Sequence, residues 1–264
     1  MSEAVFEFTA SGFHPVPENE ASSVTTLVSD SWLVNEGRVV AWEKHQQRFL
    51  DSVLRATSFS ADMLSDFLHD VHARNPPSGR WFPRIEAVTD SGRARLRYRH
   101  RTAPEPQSTA VLARAPHDPR TQPLVKGPDL EDLLALREAV APSGATEAII
   151  VDSQDRLAEG AYSTLLVWPA DGDHLVVIAP EIARLPSVTE TVLTETAEAQ
   201  GVEVRPHVLR VADLEDAEVW VVSALHGIRL ATDFVEGPRL NTTPDRSARW
   251  QQFWRDRAQH PTLT

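Results

Sequence analysis

The stretch LVKGPDLEDLLALREAV (residues 124–140), followed after a short break by TEAIIVDSQDRLAEGAYSTLL (residues 146–166), decides how this chain is read. Lys126 stands just before a predicted helix, and Glu159 stands on a predicted strand. Only two of the 26 basic residues are lysines, Lys44 and Lys126; the rest are arginines. A guanidinium keeps its proton at any pH a protein meets, so arginine cannot act as an amine nucleophile. A lysine spared in that background is a candidate for amine chemistry, with a plain surface residue as the alternative. Lys44, next to His45, reads as surface.

Working outward, 264 residues suit one large domain or two smaller ones with real cores. With 41% hydrophobic and 24% charged residues, the composition is that of a soluble globular protein. A net charge of −12 argues against nucleic acid, which rewards a basic surface. No apolar run reaches the roughly 18 residues that span a bilayer. The opening MSEAVFEFTASGF has early acids and no basic region of the signal-peptide kind, so a cytoplasmic protein is expected. The chain has no cysteine, which excludes disulfides, thiolate metal sites and cysteine nucleophiles. His69 and His72 have no third ligand nearby, so no metal is expected. G-x-G-x-x-G, Walker and G-x-S-x-G patterns are absent, which weakens nucleotide and hydrolase readings.

Periodicity predicts the elements. Residues 23–34 and 37–40 read as a hairpin turning at Asn35-Glu36-Gly37. Residues 41–56 form a helix with Trp42, Phe49, Val53 and Leu54 inward, and residues 60–73 a second, capped by Ser60, with Met63, Leu64, Phe67 and Leu68 inward. Strands follow at 81–88, 93–101 and 107–114. The second alternates arginines 93, 95, 97 and 99 with Ala94, Leu96 and Tyr98, which predicts one wet face of solvated arginines. A Pro-rich linker (116–123) then separates a small N-terminal α+β domain (1–115) from a larger C-terminal one (124–264) expected to carry Lys126. In the latter, Asp129 caps a helix to Val140 through Leu130, Leu133, Leu134 and Leu136. Strands at 147–151, 156–159, 163–168 and 174–178 follow, the last two a hairpin turning at Asp171-Gly172. A helix at 188–200 stops at Gly201. Strands at 202–211, 218–223 and 228–234 precede a final helix at 244–260 carrying Trp250, Phe253 and Trp254.

Five segments, in order, resemble one family. HQQRF (45–49) is similar to an H-x-x-R-L helix, and LVKGPDL (124–130) to a Schiff-base lysine segment. EAIIVDSQDRLAEGAYSTLLVW (147–168) is similar to E-x-x-x-L-D…G-x-[IV]-x-E-G-x-x-S-N-[LI]-F, RLPSVT (184–189) to L-P-G-[IV]-T-R, and VVSALHGIR (221–229) to a phosphate-binding turn. Over about residues 30–235 the chain resembles the class IV aminotransferases. These are fold type IV pyridoxal 5'-phosphate enzymes that include branched-chain and D-amino-acid aminotransferases and 4-amino-4-deoxychorismate lyase.

The resemblance implies a two-domain α+β fold, with a small N-terminal α/β domain and a larger β-barrel-like domain flanked by helices. It implies a homodimer and one pyridoxal 5'-phosphate. Lys126 is then the Schiff-base lysine and proton carrier, and Glu159 the partner of the pyridine nitrogen. Arg48 holds the phosphate with Val188 and Thr189, assisted by Ser223, Ala224 and Leu225. Arg84 faces the carboxylate of the substrate. These residue types suit the chemistry. An aldehyde cofactor needs a lysine that can lose its proton, its ring needs an anion to stay protonated, and its phosphate needs amides and a guanidinium. The chain departs from the family pattern at Thr164, Ser187 and Glu190, and DLED (129–132) replaces the tyrosine found after the lysine in many transaminases. Three functions follow: transamination, aminodeoxychorismate cleavage to p-aminobenzoate and pyruvate, or a non-catalytic binding protein of the same fold.

Overall fold

The computed structural model describes residues 3–17, 24–170 and 172–262. Met1, Ser2, Ser23 and Asp171, on which parts of the predicted N-terminus and two predicted hairpins fall, lie outside them. The chain divides into two compact units. Unit 1 is Met1–Glu105 with Val125–Pro128 and Arg257–Thr264; unit 2 is Pro106–Leu124 with Asp129–Asp256.

Unit 1 is built from β1 (Glu3–Thr9), β2 (Gly12–Pro15), β3 (Thr25–Ser31), β4 (Val34–Asn35) and β5 (Val39–Val40). Helices α1 (Trp42–Ala56) and α2 (Ala61–Ala73) follow, then β6 (Arg80–Trp81), β7 (Arg84–Asp90) and β8 (Arg93–Arg101). Its main sheet has the order β2-β1-β8-β7-β3, every pair antiparallel. Alternation sends Val28, Ile85, Ala87, Leu96 and Tyr98 to one face, into a buried cluster with Trp42, Phe49 and Val53 of α1 and Leu64, Phe67, Leu68 and Val71 of α2. The Ser60 side chain caps α2, accepting from Met63 N at 3.2 Å. Leu54 does not join the core. It is 49% exposed, because one position beyond Val53 turns a helical side chain by about 100°. The predicted 23–34/37–40 hairpin shrinks to one bridge, Asn35 to Arg38, since β3 pairs instead with β7 and β4 with β6.

Arg93 is exposed as expected, but the other arginines of β8 are not a wet face. Arg97 is only 1% exposed. Antiparallel register sets Glu7 of β1 and Glu86 of β7 on either side of Arg97. Arg99 donates to Glu86 at 2.7 Å and Glu3 at 3.1 Å, and Arg95 reaches Glu7 and Asp90 at 3.3 and 3.2 Å. Carboxylates on neighbouring strands turn the row into an ion-pair network, which alternation within one strand does not reveal.

Unit 2 contains β9 (Thr109–Arg114), α3 (Leu130–Val140), β10 (Glu147–Val151), β11 (Leu157–Gly160), β12 (Thr164–Trp168) and β13 (Leu175–Ile178). It continues with α4 (Val188–Ala199), β14 (Val204–His207), β15 (Glu218–Ser223), β16 (Gly227–Val235) and α5 (Asp245–Asp256). The eight strands run β11-β10-β9-β16-β15-β12-β13-β14. Leu157 N of the first edge strand donates to Leu209 O, two residues past the last edge strand, at 2.7 Å. That bond joins the sheet's two edges and curls it toward a barrel. Both β9-α3-β10 and β13-α4-β14 are parallel pairs joined through a helix. Helix α4 ends as predicted: Gly201 has φ +73°, and Val202 N and Gly201 N reach Ala197 O and Glu198 O at 2.8 and 3.0 Å. Leu134 points outward at 45% exposed, while Leu136 is buried. Asp129 stands at the N-cap of α3 as expected, but its side chain makes no cap hydrogen bond; its carboxylate accepts instead from Thr121 N, Thr121 Oγ1 and Gln122 N.

The division of the chain therefore differs from the expected 1–115, 116–123 and 124–264. Strand β9 belongs to unit 2 because its two partners are β10 and β16. Lys126, expected in the C-terminal domain, belongs to unit 1. The chain's end returns to unit 1 as strand β17 (Ala258–Gln259), paired with β5.

Candidate active site

In unit 1, Lys126 is fastened by its backbone. Its carbonyl accepts from Ser29 N of β3 at 2.6 Å. Gly127 follows at φ +135°, and a Cβ there would lie 2.8 Å from the same Ser29 N. Only glycine lets the two backbones approach so closely. The amine makes no hydrogen bond or ion pair among the described residues. Burial lowers its pKa to about 8, helped by Arg48 and opposed by Asp30; Arg84 and Arg101 lower it further. A lysine in that state is partly neutral near physiological pH and can act as a nucleophile or base.

Beside it lies an anchor the sequence reading did not single out. Asp30 on β3 is fully buried. Arg48 on α1 grips it with Nε to Oδ2 and Nη2 to Oδ1, both 2.8 Å, in the bidentate geometry of a guanidinium–carboxylate pair. His45, one turn earlier on α1, meets Asp30 Oδ1 through Nδ1 at 2.8 Å, and Ser31 N donates to the same oxygen at 2.7 Å. Burial would raise the Asp30 pKa, but Arg48 and His45 outweigh it and hold the carboxyl well below its usual range. Being ionised, Asp30 only accepts, so His45 Nδ1 carries the hydrogen. Burial outweighs Asp30 in turn and lowers the His45 pKa.

Two further arginines influence Lys126. Arg84, the predicted carboxylate reader, already contacts Glu86, which is fully buried. Arg101 has no ion-pair partner among the described residues. Its Nε donates to Phe82 O at 3.1 Å, its Nη2 reaches Ser31 Oγ at 3.4 Å, and it lies 5.3 Å from the centre of the Phe82 ring. Burial, then Arg84, lowers its pKa to about 10. Between the two, Arg101 is the cation that makes no close ion pair among the described residues, although Glu3 and Glu86 act on it at longer range. Its signal in the sequence was its place at the end of the arginine-alternating strand.

In unit 2, Glu159 on β11 is 7% exposed. Its Oε1 accepts from Arg120 Nη1 at 2.5 Å and its Oε2 from Leu185 N at 3.3 Å. Burial raises its pKa and outweighs the opposing Arg120. The turn after it is closed by Gly160 N to Ser163 O, 2.8 Å, and supported by Glu147, which accepts from Tyr162 N at 3.1 Å. Glu147 is itself fully buried in an ion pair with Arg229 at 2.5 Å. The hydroxyl of Ser163 is buried with no hydrogen-bond partner among the described residues.

The departures at 164, 187 and 190 each have a structural account. Thr164 is a buried residue of β12 opposite Val222. Ser187 takes φ −85°, where a side chain is at ease, and its oxygen caps α4 by accepting from Glu190 N at 3.2 Å. Glu190 takes both terminal nitrogens of Arg184, at 2.7 and 2.8 Å. Val188 and Thr189 form the first turn of α4, whose amides have no intrahelical acceptor. Ser223 ends β15, and Ala224 and Leu225 follow in the turn to β16. Ser223 Oγ accepts from His226 N at 3.4 Å. Gln251 of α5 ties this turn, accepting from Ile228 N at 2.7 Å and donating to His226 O at 2.9 Å. In unit 1, His72 of the predicted non-metal pair meets Pro261 O through Nε2 at 3.0 Å.

A two-unit α+β fold whose larger sheet curls shut is the architecture of fold type IV transaminases. A family model described as amino-transferase class IV matches residues 27–233, so this chain belongs to the class IV aminotransferases. Over 120 residues it is 32% identical to a bifunctional aminodeoxychorismate lyase / D-amino acid transaminase of Mycobacterium tuberculosis (strain ATCC 25618 / H37Rv). That match covers 43% of this chain and 40% of that protein, so the chain spans less than half the length of that relative. Among solved structures it is similar to a hypothetical aminotransferase from Mycobacterium tuberculosis in its apo form (TM-score 0.77, 19% identity, 97% of this chain and 98% of that one). It is also similar to a fold IV-transaminase from Curtobacterium pusillum (TM-score 0.77, 16% identity, 96% and 99%). Likenesses at that identity establish the fold.

Proposed function

We propose that this chain is a pyridoxal 5'-phosphate-dependent aminotransferase of class IV, acting at the amino-bearing carbon of a carboxylate-bearing substrate. The observation that carries the reading is Lys126: one of two lysines, fixed by its backbone to β3 and held with a pKa of about 8. The residues present suit the cofactor. They include a lysine that can be neutral, a buried carboxylate in Glu159, a buried hydroxyl in Ser163 with no hydrogen-bond partner among the described residues, and a helix start at Val188 and Thr189. When bound, the cofactor supplies an aldehyde carbon for covalent attachment and an electron-withdrawing ring.

The roles of the chain's own residues follow. Lys126 Nζ is the attachment point and, once free and neutral, the base that holds and returns the proton of the substrate's amino-bearing carbon. Glu159 would hold the ring nitrogen with its negative charge. Arg48, shared with Asp30, and the amides and hydroxyl of Val188 and Thr189 receive the phosphate, with the turn of Ser223, Ala224 and Leu225 as a second set of contacts. For the substrate carboxylate the sequence favours Arg84; Arg101, which makes no ion pair among the described residues, is the better receiver. The protein is proposed to act as a cytoplasmic homodimer. No helix among the described residues is long and apolar enough to cross a membrane.

The test is spectroscopic. The wild-type chain should take up the cofactor, show a visible band that borohydride bleaches, and carry the reduced adduct on the Lys126 peptide. A colourless chain indifferent to added cofactor would instead identify a non-catalytic binding protein. Aminodeoxychorismate lyase is the second reading, supported by the 32% identity over 120 residues to a bifunctional aminodeoxychorismate lyase / D-amino acid transaminase and by DLED where many transaminases carry a tyrosine. Release of p-aminobenzoate with pyruvate identifies the lyase; amine transfer that depends on a keto acid identifies the transaminase.

A further inference from the structure

The segment expected to be a plain linker carries a residue with an unusual set of partners. The side chain of Arg120 in unit 2 is 5% exposed. Its Nη1 donates to Glu159 Oε1 at 2.5 Å and to Ala183 O at 3.0 Å. Its Nε and Nη2 donate to the two oxygens of Asp118 at 2.9 and 2.8 Å, and its backbone amide reaches Asp118 Oδ1 at 3.0 Å. Asp118 thus clamps the fork of the guanidinium and leaves the remaining nitrogen directed at Glu159. Leu185 N engages the other Glu159 oxygen at 3.3 Å.

We infer that Arg120, clamped by Asp118, is a positioning residue that fixes the Glu159 carboxylate and favours its charged form for the ring nitrogen of the cofactor. The inference rests on the pyridoxal-phosphate reading above and adds to it the residue that tunes the acid. A carboxylate this buried tends to take up a proton, and a neutral acid cannot hold a protonated ring. Arg120 opposes that tendency directly, since a fully hydrogen-bonded guanidinium cannot lose its charge. The contrary account, in which Arg120 competes with the cofactor for Glu159, makes the opposite prediction about affinity.

Wild type, Arg120→Gln, Arg120→Lys, Asp118→Asn, Glu159→Gln and the Arg120→Gln/Glu159→Gln double variant are prepared as full chains, and circular dichroism establishes which are folded. Cofactor affinity is read by absorbance titration of the apoprotein, and the pH midpoint of the bound cofactor's visible band is read separately. Arg120→Gln should weaken affinity about tenfold, the size of one lost charge-assisted hydrogen bond, and should displace the midpoint. Arg120→Lys should recover part of the affinity, and Asp118→Asn should produce a smaller loss in the same direction. In the Glu159→Gln background, Arg120→Gln should cost less than about twofold. A folded Arg120→Gln that binds the cofactor as tightly as wild type or more tightly, or losses that simply multiply in the double variant, overturns the inference. If wild type itself takes up no cofactor, the functional reading fails and the role of Arg120 toward the ring fails with it. The thermal unfolding cycle of the same apoproteins then decides the remaining point: additive shifts remove the coupling between Arg120 and Glu159, and non-additive shifts retain it.

Discussion

The carbonyl of Lys126 accepts a hydrogen bond from the amide of Ser29 at 2.6 Å. This bond ties a residue central to the sequence motif to β3, far away in the chain, and Gly127 makes the approach feasible by lacking a Cβ. Gly127→Ala should therefore lower stability by about 1–3 kcal/mol through strain at a positive φ and a forced retreat of β3. Thermal melts read the first effect, and the yield of borohydride-trapped cofactor on Lys126 reads the displacement of the amine. A variant as stable and as readily trapped as wild type would show that the close approach is not needed.

Lys126 should titrate in the neutral range. Its pKa of about 8 lies below the ordinary 10.5, because burial and Arg48 disfavour the ammonium. Between those two values the unfolded chain binds a proton the folded chain does not, so this group makes stability rise with pH across that window. With only two lysines, reductive methylation followed by peptide mass analysis reports the amine directly. Methylation of Lys126 should reach half its limiting rate near pH 8. A midpoint at or above 10 contradicts the buried setting.

Asp30→Asn should be among the most damaging single changes in unit 1. It removes the anion shared by Arg48 and His45 while leaving the guanidinium half-buried, a loss of about 3–5 kcal/mol by analogy with broken buried ion pairs. The folded-state pKa of Asp30 lies below its ordinary 3.8, so its contribution is complete above that value and disappears as pH falls through the folded pKa. Denaturant melts at pH 7 and pH 3 measure both. The Asn variant should lose the acid-dependent part of the difference, and equal stabilities at pH 7 would refute the anchor.

Arg101→Leu should raise KM for a carboxylate-bearing amine acceptor by about tenfold to a hundredfold, the scale of a lost guanidinium–carboxylate pair, with less effect on kcat. Arg84→Leu should act mainly through stability, because it removes one of the two arginines, with Arg99, that pair the buried Glu86. Initial-rate kinetics of both variants, each with its melting temperature, separate these outcomes. A larger KM effect from Arg84 would return the carboxylate to the residue favoured by sequence.

Much of the fold was legible. Helices α1, α2 and α4 follow the 3.6-residue spacing of Phe49 and Val53, the Ser60 cap and the Gly201 stop, which are local signals. Strand pairing was not. β3 chose β7 over its neighbour in sequence, and β9 lay in the larger sheet, because partners of such strands are set by contacts far along the chain. The arginine row of β8 was misread for the same reason, its counter-ions being on β1 and β7.

The sequence by itself determined which residue types stand in which motif: a spared lysine, a following acid, a helix arginine and two loops, enough to indicate the family. Only the tertiary structure decided their electrostatic company. It gave Asp30 to Arg48 and His45, Arg120 to Glu159 and Glu86 to Arg84, and it left Arg101 without a close ion pair among the described residues. The physical reason is that a charge is tuned by what surrounds it after burial. Those neighbours arrive from distant segments that carry no local mark of whom they will meet.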